Sequence, residues 1–185
     1  MSKPFYQKPW FWVIIVIVII GIGSAIASSN KDPQKVSSDS GNGSSNQSQT
    51  ESNQNKEFAV GDTIAIDGQE VKVVSVEHNY TPTQQYVTLP EGKEYVKLNL
   101  QIRNNSSSTI DYNALYWTIE DSTGDIINYS GAAFAQADDQ LNSGQLAAGG
   151  TKNASIVFEV PAGDTKLKVH FKPNLFLDRE AIINL

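Results

Sequence analysis

The chain has 185 residues, no cysteine and a formal net charge of −6. An acidic chain is a poor partner for nucleic acid or an anionic membrane surface, because binding to either depends on an excess of Lys and Arg. The lack of cysteine excludes disulfide bonds and lipid attachment at a lipoprotein cysteine.

Residues 10–27 form an apolar segment, and no charged side chain occurs between Lys8 and Lys31. About 20 apolar residues suffice for a helix to cross a hydrocarbon core of ~30 Å. The run from Val13 to Ile20 contains only Val and Ile, which make poor helices in water. In lipid, however, a helix is the single-segment structure that satisfies every backbone group. The sequence therefore predicts a transmembrane helix or uncleaved signal anchor over 10–27.

Residues 1–9 form a predicted cytoplasmic tail that carries Lys3, Lys8 and the amino terminus, without an acidic side chain. The Lys counts on the two flanks are nearly equal, so the free amino group and the short tail decide the orientation: N-terminus inside, remainder outside. A cleaved signal peptide is the alternative, because Ala25-Ile26-Ala27 has the small-x-small form of a cleavage site. Both interpretations export the rest of the chain, and the first predicts a single-pass protein of the cell membrane.

Residues 28–57 consist mainly of Ser, Thr, Asn, Gln and Gly, and Val36 is their only aliphatic residue. Such a segment cannot bury enough apolar surface to offset its ordering entropy. We therefore predict a disordered linker, whose ends would lie about 30 Å apart if it behaves as a flexible coil. Its simplest role is to hold a folded domain away from the membrane.

Residues 58–185 alternate apolar and polar side chains, most clearly from Tyr95 to Arg103. This alternation is typical of an antiparallel strand with one face on a core. It recurs in the triplets Leu115-Trp117-Ile119, Ile156-Phe158-Val160 and Leu167-Val169-Phe171. Turn residues separate the runs, and no amphipathic helix is evident. The sequence therefore predicts an all-β, immunoglobulin-like antiparallel β-sandwich of seven or eight strands.

One of these runs changes phase. Val71 and Val73 belong to one alternation, whereas Val74 and Val76 belong to the other. A β-bulge, or a strand that changes sheets, is the ordinary cause of such a slip.

Several short motifs in this region occur in a characteristic order: Val60-Gly61-Asp62-Thr63, Glu70 to Glu77, Glu91 to Val96, Asn104-Asn105, Ile110 to Tyr112, Glu120 to Gly124, Leu146 to Gly150 and Ile156 to Pro161. Their order resembles the bacterial domain-of-unknown-function family 4352 over nearly all of 58–185. An N-terminal anchor followed by a polar linker is also similar to Gram-positive members. The resemblance implies an immunoglobulin-like sandwich outside the cell, and it implies no reaction and no catalytic residues.

Residues suited to catalysis or metal binding are scarce. His78 and His170 do not have metal-ligand spacing, and no Ser lies in a Gly-x-Ser-x-Gly elbow. Asp121 to Asp125 is similar to the start of a calcium loop, but Ala stands where that loop requires Glu, so a hairpin turn is the better interpretation. Asp138 and Asp139 fit a solvated loop, with a role in holding a divalent ion as the alternative. We predict no cofactor, metal or catalytic site.

A basic stripe is one candidate surface for a partner. It consists of Lys166, Lys168, His170 and Lys172, which share one face of a predicted strand. Amines in a row can bind an anionic polymer or the acidic strip of a partner. The alternative is that exposed Lys protects an edge strand against unwanted pairing.

Two long loops, Tyr80–Pro90 and Gly131–Gly144, are the second candidate surface. Loops at the ends of a rigid sandwich commonly carry binding residues. Tyr80, Tyr86 and Phe134 are the aromatic residues that these loops offer as anchors.

The sequence as a whole favours a non-catalytic, membrane-tethered extracellular module that binds a cell-wall polymer or an envelope protein, or has a structural role there. The alternative is a secreted envelope enzyme or enzyme inhibitor after signal cleavage. The small number of His residues, the lack of Cys and the lack of a carboxylate constellation favour the first hypothesis.

Overall fold

The computed structural model of the chain describes residues 32–36, 57–83, 88–134, 137, 139–174 and 179–185. The predicted cytoplasmic tail (1–9) and transmembrane helix (10–27) lie outside these ranges, as does most of the predicted linker. Within the described ranges, no helix combines the length and apolar character that a membrane crossing requires.

Two five-stranded sheets enclose the hydrophobic core. Sheet 1 has the order β1 (Gln34–Lys35), β3 (Ile64–Ile66), β4 (Gln69–Glu77), β5 (Lys93–Asn104) and β10 (Thr151–Pro161). Sheet 2 has the order β2 (Glu57–Ala59), β12 (Ala181–Asn184), β11 (Lys168–Phe171), β7 (Trp117–Glu120) and β8 (Ile126–Ile127). A separate pair joins β6 (Ile110–Tyr112) to β9 (Gly144–Leu146). Neighbouring strands are antiparallel, except that β12 and β2 are parallel.

The prediction of an all-β sandwich is confirmed. The described residues contain twelve strands instead of seven or eight. Strands as short as β8 have too few residues to show an alternation of apolar and polar side chains in the sequence. Helical structure in the same part of the chain is limited to α1 (Gly131–Phe134) and a 3₁₀ turn (Ala114–Tyr116).

Strand β5 lies inside sheet 1, hydrogen-bonded to β4 on one side and β10 on the other. Its inward side chains are at most 2% exposed: Val96, Leu98, Leu100 and Ile102. The predicted phase change in β4 is a bulge, since the register shifts between Val73 and Ser75 and Val74 is 49% exposed. The bulge prediction is confirmed.

Tyr95 and Leu115 depart from the predicted alternation. The alternation places Tyr95 opposite Val96, on the solvent side of β5, yet Tyr95 is buried because Ala133, Ala137 and Val157 form a small second cluster with it. Leu115 was expected in the core, yet it is 56% exposed. The 3₁₀ turn changes the direction of the chain there, so that Ala114 takes the buried position.

Residues 129–130 and 139–141 cover the outer edge of β10. Ser130 N–H donates to Val157 C=O at 2.8 Å, and Leu141 N–H donates to Ser155 C=O at 2.8 Å. Ser155 N–H in turn donates to Asp139 C=O at 2.7 Å. These bonds satisfy backbone groups that an edge strand would otherwise expose.

Gln34 and Lys35 correct the predicted linker, because they form β1 instead of disordered chain. Val36 N–H donates to Thr63 C=O at 2.8 Å, and Lys35 Nζ lies 2.5 Å from Asp62 Oδ1. The edge of β3 offers unpaired backbone groups, so a polar segment can join the sheet without burying side chains. Composition alone does not reveal such a partner.

Asn104 is a fully buried polar residue at the end of β5. Its Nδ2 donates to Ser108 C=O at 2.7 Å and to Leu146 C=O at 2.9 Å. Its Oδ1 accepts from Ser106 N–H at 2.9 Å and from Ser106 Oγ at 2.8 Å. One side chain thus joins the loop after β5 to the end of β9.

Replacing Asn104 by Ala should lower the free energy of unfolding by about 2–3 kcal/mol, because buried groups lose their partners. Urea denaturation followed by near-UV circular dichroism measures this change. Asn105→Ala is the matched control, since the Asn105 side chain is exposed in the same loop, and its effect should stay within about 0.5 kcal/mol. Equal losses in both variants would contradict a special role for Asn104.

Candidate functional site

The predicted basic stripe follows β11, the middle strand of sheet 2. Leu167, Val169 and Phe171 are buried, as the alternation predicted. Because β12 and β7 pair with β11 on either side, the interpretation that these lysines protect an edge strand is wrong. Lys166 lies in the turn before β11, with an exposed side chain.

Carboxylates pair with both lysines of the stripe that lie in or next to β11. Lys168 Nζ is 3.1 Å from Glu57 Oε1, and Lys172 Nζ is 3.3 Å from Glu180 Oε2. The side-chain amide of Asn184 and the ammonium of Lys168 lower the pKa of Glu57 by donating hydrogen bonds to it. The positive charges therefore have negative partners beside them.

His170 lies between two carboxylates and is 8% exposed. Its Nδ1 is 2.5 Å from Glu180 Oε1, and its Nε2 is 2.9 Å from Glu120 Oε2. Each ring nitrogen therefore has a carboxylate oxygen within hydrogen-bonding distance. The ring thereby links β11 to β7 and to the residue preceding β12.

The outer face of sheet 2 therefore carries a carboxylate beside each of these basic side chains. The acidic members are Glu57, Glu120 and Glu180, and the basic members are Lys168, His170 and Lys172. This balance removes the local excess of positive charge on which binding of an anionic polymer would depend.

A concavity of about 360 Å³ opens on this face beside His170, within the size range of small-molecule sites. Its lining residues are Leu115, Tyr116, Thr118, Ile126, Lys172 and Glu180. Leu115 and Ile126 are each 56% exposed, so the concavity presents apolar surface to solvent beside its polar groups.

This concavity was not predicted from the sequence, because Leu115 was assigned to the core. Asn113 is the residue that could have indicated the turn at Leu115. Its Oδ1 accepts a hydrogen bond from Leu115 N–H at 2.9 Å and caps the 3₁₀ turn. Asn is a preferred residue for that role.

The predicted loop anchors do not form one surface with the stripe. Phe134 is 8% exposed and its ring centroid is 5.0 Å from that of Tyr129, so it belongs to the core and is not an exposed anchor. Tyr80 is half-buried against the second cluster, with Lys97 Nζ 5.3 Å from its ring centroid. Tyr86 lies outside the described residues.

The loop similar to a calcium site is a hairpin turn between β7 and β8, as predicted. Asp121 Oδ1 accepts from Thr123 Oγ1 at 2.7 Å and from the N–H groups of Thr123 and Asp125 at 2.9 and 3.0 Å. Asp139 accepts from Ser155 Oγ at 2.6 Å, whereas Asp138 is outside the described ranges. In the part of the chain that is described, no three His, Cys, Asp or Glu residues are grouped to hold a metal ion.

These observations define the class of protein: an all-β sandwich domain with a mixed polar and apolar concavity on the outer face of one sheet. The model of the family "Domain of unknown function (DUF4352)" matches residues 58–182. The chain belongs to this family, which confirms the resemblance found in its motifs. No curated protein matches the chain.

Several solved structures are similar. The ycdA protein of Bacillus subtilis, a candidate lipoprotein, has 13% identity and a TM-score of 0.55, with 66% of this chain and 38% of that chain covered. The yjhA protein of Bacillus subtilis has 14% identity and a TM-score of 0.53, with 69% and 98% covered. The secreted protein MPT63 of Mycobacterium tuberculosis has 11% identity and a TM-score of 0.54, with 72% and 100% covered.

The chain thus spans well under half the length of ycdA, at 38%, and most of the other two. At these identities, the likeness shows a common fold and nothing more.

Acid should remove one contribution of the β7–β8 turn to stability. The Thr123 hydroxyl, together with the N–H groups of Asp125 and Thr123, lowers the pKa of Asp121 below its ordinary value of 3.8. A lowered folded-state pKa stabilises the protein above that ordinary value, and the contribution disappears as pH falls through the folded-state pKa. Wild type should therefore exceed Asp121→Asn in stability at pH 6, and the gap should narrow below pH 3.8.

Urea unfolding at a series of pH values measures that gap. Asp125→Asn removes the same charge from an exposed position of the same turn and serves as the control, with only a small effect expected. A gap for Asp121→Asn that stays constant down to pH 2 would contradict the explanation.

Replacing His170 by Gln should lower the free energy of unfolding by about 2–3 kcal/mol, because Gln cannot make the contacts of both ring nitrogens with Glu120 and Glu180. His78→Gln is the comparison, since the His78 side chain is 46% exposed with a single contact of 3.3 Å to Glu94. Its effect should be less than about 1 kcal/mol. Thermal unfolding of both variants measures the two losses of stability. A larger loss for His78→Gln than for His170→Gln would contradict the bridging role of His170.

Proposed function

We propose that the protein is a non-catalytic, membrane-tethered binding module of the cell envelope, with an immunoglobulin-like sandwich outside the cell. Two five-stranded, mostly antiparallel sheets around one core support the immunoglobulin-like assignment. The uncharged apolar segment over 10–27 supports the tether.

Export of the domain has two supports. The free amino group and the short N-terminal tail favour a cytoplasmic N-terminus, which directs the chain after residue 27 outward. Among proteins of similar fold, one is a candidate lipoprotein and another is a secreted protein.

The concavity beside His170 is the observation that carries the binding role. It places the apolar side chains of Leu115 and Ile126 in solvent, beside polar groups whose positions are held by ion pairs. Apolar surface together with a few fixed polar groups is typical of ligand sites. By contrast, the apolar side chain of Tyr95 on the outer face of sheet 1 is covered by other residues of the chain.

The contacts of His170 favour binding over catalysis. A general base needs a ring nitrogen within hydrogen-bonding reach of a substrate proton. Both nitrogens of His170 are already engaged by Glu180 and Glu120, at 2.5 and 2.9 Å.

Proteolysis of intact cells that produce the protein with a C-terminal tag tests the tether and the orientation. Trypsin added outside should release a tagged fragment from the membrane fraction, because Lys31 and Lys56 follow the apolar segment on the exported side and offer cleavage sites. Before proteolysis, mass analysis should find a tagged species in the membrane fraction that retains Met1.

An untreated soluble product that begins at Ser28 would contradict the tether and support a secreted protein. A tag that is digested only after the cells are lysed would contradict the orientation. Cells that carry the tag on a cytoplasmic protein give the control for cell integrity.

A further inference from the structure

We infer that the concavity beside His170 binds an uncharged glycan, the chemistry that a wall polysaccharide presents. This inference rests on the proposed function as an envelope-binding module and names its ligand class. Four features favour this ligand: the paired charges, the remaining hydrogen-bonding capacity of the polar groups, the exposed apolar side chains and the backbone pairing of the strands beneath the site.

The charges of the site match an uncharged ligand. Lys172 and His170 both pair with Glu180, at 3.3 and 2.5 Å, and His170 also pairs with Glu120 at 2.9 Å. An anionic polymer approaching Lys172 would meet Glu180 at the same point. Like charges across an interface oppose binding, so the site discriminates against a polyanion.

The polar groups of the site are held in place and retain hydrogen-bonding capacity. An ammonium has three donors, and one contact from Lys172 to Glu180 leaves others available. Each carboxylate oxygen of Glu180 can likewise accept more than one bond. Sugar hydroxyls both donate and accept, so they can bind beside this ion pair without separating its charges.

The exposed side chains of Leu115 and Ile126 provide the apolar contact that a sugar ring requires. A sugar ring has C–H groups as well as hydroxyls, and the C–H groups gain from contact with apolar side chains. Both side chains are 56% exposed and line the same concavity as Thr118, which adds a hydroxyl group to the lining. A ligand that is polar at its rim and apolar on its ring faces fits this arrangement.

An extended peptide fits less well, because recognition of such a peptide commonly uses a free sheet edge. Beneath the concavity, β11 and β7 are each paired on both sides, and β8, which carries Ile126, is the outer strand of sheet 2. Lys168 lies between Asn184 and Glu120 in the register, and His170 lies between Ile182 and Thr118. Over β11 and β7, recognition must therefore use side chains, as binding of a glycan does.

The test measures binding of the full-length protein in detergent micelles to an uncharged tetrasaccharide of N-acetylglucosamine, by calorimetry. Leu115→Ser and Ile126→Ser should each weaken binding about tenfold, a loss of about 1.4 kcal/mol. Leu89→Ser and Val74→Ser are the matched controls, since these side chains are 38% and 49% exposed and lie outside the lining. The controls should bind as wild type, and equal weakening in all four variants overturns the inference.

Two lysine variants separate this site from the basic stripe. Lys172→Gln should weaken binding of the tetrasaccharide, whereas Lys166→Gln should not, because Lys166 is outside the lining. A synthetic polyglycerol phosphate and a wall stem peptide are the competing probes. The inference is overturned if either binds while the tetrasaccharide does not.

Binding to purified wall sacculi distinguishes the glycan ligand from the more general envelope-binding role. Binding to sacculi without binding to the tetrasaccharide overturns the glycan assignment and leaves the envelope-binding module standing. Binding to neither overturns both.

Discussion

Strand β5 is hydrogen-bonded on both sides, and this pairing constrains the whole of sheet 1. Its register with β10 runs from Lys93 to Arg103, and its register with β4 runs from Lys97 to Asn104. A slip of one residue would turn Val96 and its inward neighbours to the outside, so both partners are held in phase. The bulge in β4 accommodates one extra residue without breaking that phase, and Asn104 joins the end of the strand to the adjoining loops.

Sheet 2 is subject to a different constraint, because its middle strand carries polar and charged side chains on the outer face. A buried or half-buried charge is costly unless it is paired and hydrogen-bonded. His170 is satisfied by Glu120 and Glu180, and Lys168 by Glu57. The pairing stabilises the sheet and also leaves a face whose polar groups have fixed positions and little net charge. Such a face fits the uncharged ligand that we propose.

The alternation of side chains predicted the sandwich, the core face of β5 and the bulge, because these features depend on neighbours in sequence. The features that were missed depend on distant partners or on local caps. Glu57 is 111 residues from Lys168, so no local pattern could show that the stripe is neutralised. Phe134 and Tyr95 are buried by chain that returns across β10, and Leu115 is exposed because Asn113 caps a turn.

Strand β1 has a mechanical consequence. A pulling force applied through the chain before Asp32 acts first on the short ladder between β1 and β3 and on the pair of Lys35 with Asp62. Once this contact breaks, the load passes along the chain to β2, the next strand that the structure describes. The ladder between β1 and β3 has two residue pairs, whereas the ladder between β10 and β5 has eleven. The two-residue strand would therefore yield before the sandwich does, so that the first response to load leaves the core intact.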